Sequence, residues 1–264
     1  MNKPTIVLTI AGSDSSGGAG IQADIKAISA LGSFAASAIT SITAQNTLGV
    51  QGIHPIPTPM VRQQIEAVMD DLHPDAIKIG MVCDKDIART IAESIQQYRP
   101  KWVVYDPVMV STSGHKLMTD DIIDTICKEL IPRSSLITPN LHEASILYGK
   151  EIKNINEMEK SAEAMSKVYG CSVLIKGGHL AEDIMCDVLY DATNQQCFRY
   201  NTPKIESRNL HGTGCTLSSA IATKLSQGHS LNESIALAKN YITRAIEASK
   251  NMKIGHGHGP LWHF

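Results

Sequence analysis

The chain has 264 residues, 43% of them hydrophobic, and a formal net charge of −2. That length and apolar share suffice for a full core, so residues 1–264 are expected to form one α/β domain. The near-neutral balance, without long Lys/Arg runs, speaks against nucleic acid as a partner, and no apolar run approaches the length of a membrane span. The six cysteines, at positions 83, 127, 171, 186, 197 and 215, include no C-x-x-C pair. Zinc and disulfide-framework readings are therefore weak, and the scatter suits a reducing compartment. The first apolar run is cut at Gly12, too early for a signal peptide, so a cytoplasmic location is expected.

Residues 6–11 read as a buried parallel strand. A polar glycine loop, 12–20, follows it, then a helix over 21–31 closed by Gly32. The loop is not a Walker A motif: Gly12 and Gly17 have the spacing, but Gly18 and Ala19 stand where Lys and Ser/Thr are required. A dinucleotide fingerprint through Gly18 and Gly20 lacks the acidic residue needed about twenty positions on. Residues 35–42 are the second strand, ending in the polar cluster Thr43-Ala44-Gln45-Asn46. Next comes a loop with Gly49 and Gly52. Thr58 reads as an N-cap, with Pro59 opening a helix to residue 72.

Further strands at 76–79, 102–105, 136–138 and 173–175 alternate with helices at 84–97, 120–130 and 155–169. Residues 186–190 and 197–200 read as an antiparallel addition at a sheet edge. His211-Gly212-Thr213-Gly214-Cys215-Thr216 is a glycine-rich turn running straight into a helix. Its first N–H groups and the positive end of its dipole make an anion site, and a thiol in that turn is expected to have a lowered pKa. The plain alternative is a helix start with a buried, inert Cys. Ser230 and Glu233 form a capping box for a last helix to about residue 249. In the tail, His256, His258 and His263 allow either a metal site or a lid or packed tail.

Strands alternating with helices imply a parallel sheet covered on both faces, with ligands beyond the carboxyl ends of the strands. Gly12-Ser13-Asp14, Gln45, Met81, Asp106, Asn140 to Glu143 and Lys176-Gly177-Gly178 all fall at such ends. The fold would gather them beside the His211 turn. An anion cradle, a Lys beside two glycines and two acids at strand tips point to phosphoryl transfer, which is mainly positioning and charge stabilisation. Asp106 and Glu143 would hold Mg²⁺ directly or through its waters. Lys176 would meet nucleotide phosphates, with Asn140 and Gly177 beside it, and the N–H groups of Gly212, Thr213 and Gly214 would meet the moving charge. Taken singly, Asp106 is also compatible with a turn before Pro107, and Glu143 with an exposed helix-start acid.

These residues resemble the ribokinase-like superfamily and, within it, the hydroxymethylpyrimidine/phosphomethylpyrimidine kinase family, over the whole chain. The carriers are Ala11 to Asp24, Thr43 to Thr47, Lys78 to Met81, Asp106 to Met109, Thr138 to Ala144, Lys176 to His179 and the His211 turn. Most relatives in the superfamily have an Asp base where this chain has Cys215; the Cys variant is typical of the pyrimidine-kinase branch. The resemblance implies a three-layer α/β/α sandwich with a mostly parallel sheet and a short antiparallel edge. It implies an ATP-dependent, Mg²⁺-assisted transfer to 4-amino-5-hydroxymethyl-2-methylpyrimidine and then to its monophosphate, in thiamine biosynthesis. It places the pyrimidine against Gly12, Asp24, Gln45, Met81 and Val108, makes Cys215 the base, and implies a homodimer. Gln45 offers the donor and acceptor that an aminopyrimidine edge needs. Alternatives are a pyridoxal kinase of the same superfamily, a non-catalytic sensor on this fold, and a hydrolase with Cys215 as nucleophile and His211 as base.

Overall fold

The computed structural model describes residues 3–109, 118–178 and 184–264, with Ile184 described by its backbone alone. Nine strands form one sheet, in the order β3-β2-β1-β4-β5-β6-β7-β8-β9. They are β1 (Ile6–Asp14), β2 (Phe34–Asn46), β3 (Gly49–Pro55), β4 (Ala76–Ile79), β5 (Val103–Tyr105), β6 (Leu136–Ile137), β7 (Ser172–Ile175), β8 (Ile184–Asp191) and β9 (Gln196–Pro203). β2, β1, β4, β5, β6 and β7 run parallel. β3 pairs antiparallel with β2 at one edge, and β8 and β9 add antiparallel pairings at the other.

The helices are α1 (Gly20–Ala30), α2 (Thr58–Asp71), α3 (Lys85–Tyr98), α4 (Asp120–Thr125), α5 (Leu141–Tyr148), α6 (Ile155–Tyr169), α7 (Thr213–Ser226) and α8 (Leu231–Ser249). Strand residues alternate between two cores, as the period of two along a strand requires. Leu8, Ile77, Ile79, Val103, Tyr105 and Ile137 face α2 to α6. Val7, Ala76, Val104, Leu136 and Leu174 face α1, α7 and α8. This is the three-layer sandwich expected from the alternation of elements. Among the described residues no helix is long and apolar enough to cross a membrane.

Several local expectations change. β1 runs on past Gly12 to Asp14, with a register shift between Ala11 and Ser13. The loop expected around Gly49 and Gly52 is instead β3, a largely exposed edge strand in a hairpin with β2. α2 is capped by Pro57 and begins at Thr58, so Thr58 makes no side-chain cap. The helix expected over 120–130 is α4 followed by a π turn, Ile126–Leu130, and a 3₁₀ turn, Ile131–Arg133, where Pro132 removes an amide donor. The unforeseen α5 starts at a capping box of Asn140 with Glu143 and stops at Gly149, which has φ +77°. The Ser230/Glu233 capping box of α8 forms as expected.

Because the six central strands are parallel, their carboxyl ends share one edge of the sheet. β1 lies between β2 and β4, while the chain leaves β1 through α1 on one face and reaches β4 through α2 on the other. The strand order therefore reverses at β1/β4, where open α/β sheets form a crevice.

Candidate active site

Three clusters of polar side chains meet at that edge, and the first turn of α7 touches all of them. The first joins Asp106, just past β5, to Lys176, just past β7. Lys176 Nζ lies 2.7 Å from Asp106 Oδ1, which also accepts from Thr138 Oγ1 at 3.0 Å. Glu143 closes the cluster from α5. Its Oε2 accepts from Asn140 N at 2.8 Å and its Oε1 from Met109 N at 3.3 Å, so the capping box also fixes the carboxylate. Burial, together with the Asp106 charge and against the pull of Lys176, raises Glu143 to about 7. A methyl group placed on Gly214 would stand 3.1 Å from Asp106 Oδ2 and 3.3 Å from Lys176 Nζ. The helix N-terminus therefore abuts this ion pair, and a side chain at Gly214 would make Asp106 and Lys176 give way by a few tenths of an ångström. Gly177 is held by its N–H to Asp187 Oδ1 at 2.9 Å, and Asp187 is in turn ion-paired with Lys239 at 2.7 Å.

Asp106 Oδ2 is buried and has no hydrogen-bond partner among the described residues. A buried oxygen left bare is costly. Beside it, Glu143 resists ionisation because burial and the Asp106 charge outweigh the pull of Lys176. One divalent cation would relieve both groups, and two carboxylates with ligand oxygens and water are the donor set that Mg²⁺ takes. Among the described residues no three His, Cys, Asp or Glu side chains form a metal cage, so the cation would need ligand oxygens to complete its shell. The histidine tail makes no such cage either: His263 is buried with Nε2 3.0 Å from Thr216 Oγ1, while His256 and His258 are exposed.

The second cluster lies beneath Cys215. Lys78 and Asp24 are both fully buried, with Lys78 Nζ 2.8–2.9 Å from the two Asp24 oxygens. Thr9 Oγ1 and Ser219 Oγ also donate to Asp24, at 2.6 and 2.8 Å. Asp24, expected against the pyrimidine, thus has both oxygens engaged inside the protein and faces the ligand side only through its neighbours. The pair pushes Lys78 up to about 12 despite burial. Cys215 departs from expectation: burial outweighs the helix start and the nearby Lys78, and raises the thiol to about 11. Asp24 and Asp106 add to the rise. Sequence reasoning passed over Lys78, although a lone Lys between Ile77 and Ile79 in a strand buried on both faces signals a cation that needs a buried anion.

The third cluster ties the β1 loop to the glycine turn. Asp14 accepts from Ser16, Gly18 and Ala19 backbone N–H groups, from Ser16 Oγ, and from His211 Nε2 at 2.9 Å. These bonds outweigh burial and hold Asp14 at about 2. His211 therefore points to Asp14 and Gln45, and the charges acting on Cys215 are Lys78, Asp24 and Asp106. The Cys–His arrangement of a hydrolase does not form. Gly212, at φ +85°, is the N-cap of α7. A Cβ on it would lie 1.9 Å from Gly18 O, so the two glycine loops are in direct contact. Gly12 packs under Met81, whose Cε would lie 2.7 Å from a Cβ there. Gln45, Met81 and Val108 are half-buried at the same edge, as an apolar ring site with one polar end requires. Thr213 turns both of its donors back on Leu210 O, Oγ1 at 2.6 Å and N–H at 3.3 Å, so of the expected cradle donors this one is already engaged within the protein. His179 lies outside the described residues.

The family model described as phosphomethylpyrimidine kinase matches residues 14–262. A hydroxymethylpyrimidine/phosphomethylpyrimidine kinase of Bacillus subtilis is 44% identical over 97% of this chain and 94% of its own length. A crystal structure of a phosphomethylpyrimidine kinase from Clostridium difficile is 42% identical, with TM-score 0.82 over 92% of this chain and 99% of that one. A Bacillus subtilis pyridoxal kinase in complex with ADP is 35% identical, with TM-score 0.90 over 99% of this chain and 98% of that one.

Proposed function

The chain belongs to the phosphomethylpyrimidine kinase family, and from that premise we propose that it uses ATP to phosphorylate 4-amino-5-hydroxymethyl-2-methylpyrimidine and then its monophosphate, as one kinase domain over residues 1–264. The observation that carries the reading is the meeting of Asp106, Lys176 and the bare N-terminus of α7 at Gly214. An anion-binding helix end, a cation and a carboxylate short of a partner form an address for a nucleotide phosphate.

Lys176 meets the phosphate charge. The N–H groups of Gly212 and Gly214 receive the charge that grows on the transferred group, while Thr213, bonded back to Leu210 O, holds the turn between them. Asp106 and Glu143 would hold Mg²⁺, with Asn140 and Gly177 shaping the nucleotide side; when bound, the ion neutralises phosphate charge and orients it. Gly12, Gln45, Met81 and Val108 hold the acceptor ring, with Asp24 acting from behind through Lys78 and Ser219. Cys215 takes the hydroxymethyl proton. Its high pKa means that this base works through a small thiolate fraction at neutral pH. The phosphate acceptor of the second transfer is already charged and hardly needs a base.

The exposed hairpin of β2 and β3, with Ile42, Leu48 and Ile53 outward, supports a homodimer. A soluble small-molecule reaction of this kind belongs in the cytoplasm. The experiment is ADP release with the pyrimidine alcohol and its monophosphate offered separately. Faster turnover of pyridoxal than of either would overturn the reading in favour of a pyridoxal kinase, the assignment that the 0.90 TM-score neighbour keeps open.

A further inference from the structure

His211 is one residue ahead of the anion-binding turn, is nearly buried, and takes no part in the chemistry proposed above. Its contacts define a different task. Asp14, held at about 2, is ionised and can only accept. The imidazole Nε2, 2.9 Å from Asp14 Oδ2, must therefore carry a proton and donate it. The same Nε2 is 3.2 Å from Gln45 Nε2, so in this orientation the carboxamide sets one N–H donor against another. A half-turn of the amide, which exchanges two atoms of nearly the same size, relieves this by turning Oε1 to His211. The other end of the carboxamide gives the same answer independently. Thr43 Oγ1 lies 2.8 Å from Ser13 O and 3.2 Å from Gln45 Oε1. A hydroxyl has one proton, and the carbonyl of Ser13 takes it, so in this orientation Thr43 and Gln45 Oε1 meet as two acceptors. The same half-turn of the amide brings the NH₂ to Thr43, where it donates to the hydroxyl oxygen. The Gln45 backbone is pinned as well, by a two-way exchange with Ser15 Oγ at 2.7 and 2.8 Å.

We propose that His211 is a positioning residue that locks the donor–acceptor order of Gln45, and thereby selects an acceptor ring whose edge presents an amino donor beside a ring-nitrogen acceptor. The proposal rests on the reading of Gln45 as a ring-binding residue. A freely turning carboxamide complements either edge of a heteroaromatic ring, because a half-turn about its last bond exchanges donor and acceptor. A locked one does not. In a 4-aminopyrimidine, N3 accepts and the amino group donates. In the 4-oxo ring, N3–H donates and the oxygen accepts, so both contacts with a locked Gln45 become like against like. Gly18 belongs to the device: a Cβ there would lie 2.5 Å from His211 Cδ2, so the ring packs directly against the β1 loop.

The test compares wild type, His211→Leu and Thr43→Val, each with the 4-amino and 4-oxo forms of 5-hydroxymethyl-2-methylpyrimidine as acceptors. Sites that leave buried polar groups mispaired reject an analogue by factors of about 10⁴, so wild type is expected to prefer the amino form strongly. In His211→Leu the ratio of the two kcat/KM values is expected to fall at least about tenfold, mainly through a higher KM for the amino form and a lower one for the oxo form, with kcat for the amino form nearly kept. Thr43→Val shifts the ratio in the same direction and serves if His211→Leu does not fold. An unchanged ratio in a folded variant, or a loss confined to kcat, overturns the proposal. A wild type inert toward both acceptors overturns the reading of Gln45 and the selectivity with it. Nitrogen-15 NMR of the unliganded protein separates the two failures: the lock requires His211 Nε2 to be protonated, and an unprotonated Nε2 removes it whatever the substrate is.

Discussion

Replacing Lys78 by methionine tests the buried pair under Cys215 without touching the surface. The ammonium and the Asp24 carboxylate are fully buried and 2.8 Å apart. Removing one member of such a pair strands the other charge, at a cost of about 3–5 kcal/mol. Asp24 keeps two hydroxyl donors, Thr9 and Ser219, so the lower end applies. At roughly 2–4 °C per kcal/mol for a chain of this size, about 3 kcal/mol lowers the melting temperature by about 6–12 °C. Scanning calorimetry of Lys78→Met, Asp24→Asn and the double variant reads it. The double variant removes both charges, leaves an oxygen for one of the two hydroxyls and an NH₂ that the other can accept from, and should recover at least half of the loss. A single variant that melts within about 2 °C of wild type, or a double variant that loses the sum of both singles, would refute the reasoning. The pair also has an alkaline edge. Lys78 titrates at about 12 rather than 10.5, so its contribution is complete below 10.5 and is lost as pH climbs through 12.

Cys215→Ala should slow the transfer to the alcohol by roughly 10²–10⁴ and the transfer to the monophosphate by much less. Since the thiol sits near 11, the wild-type rate of the first transfer should climb about tenfold per pH unit between about 7 and 9 while the second stays nearly level; a level profile for both would remove the thiolate from the mechanism. Gly177→Ala would drive a Cβ to 1.8 Å from Cys186 O, a backbone atom, so β7 and β8 must part, and both the melting temperature and the affinity for ATP should drop, as read by thermal unfolding and by KM. His263 is depressed to about 4 by burial. The stability it contributes is present above its ordinary 6.5 and is lost as pH falls from there through 4; His263→Leu should flatten the acid side of the stability curve over that window.

Much of the fold was legible because short apolar runs alternated with helical spacings, and the parallel sheet then collected the polar strand ends without further information. β3 was not legible. Gly49–Pro55 is exposed on both faces and lacks an apolar signature, so only its register with β2 makes it a strand. α5 carries a signal in the sequence, since Asn140 and Glu143 have capping-box spacing and Gly149 is a C-terminal stop, but the same two side chains also read as ligand-binding groups. The protonation of Cys215 was misjudged for a different reason. Position in a first helical turn is written in the sequence, whereas depth is not, and depth decided the sign. Lys78 shows the reverse, a buried charge whose isolation in an apolar strand was visible while its partner Asp24 on α1 was not.

The contacts that make the site span most of the chain. His211 meets Asp14 across 197 positions, Ser219 meets Asp24 across 195, and the tail at Gly257 meets Thr47 across 210. Closing loops of that length carries a large entropic cost, recovered only when the intervening sheet is already in register. α7 is therefore a keystone: the elements before it bring Asp106 to Lys176 and Asp24 to Lys78, but without α7 neither cluster has the glycine turn or Cys215. Turnover in this protein is an all-or-none readout of the finished tertiary structure. A nick or a local opening that frees α7 should extinguish both transfers together, and refolding followed by activity should lag behind refolding followed by helix content.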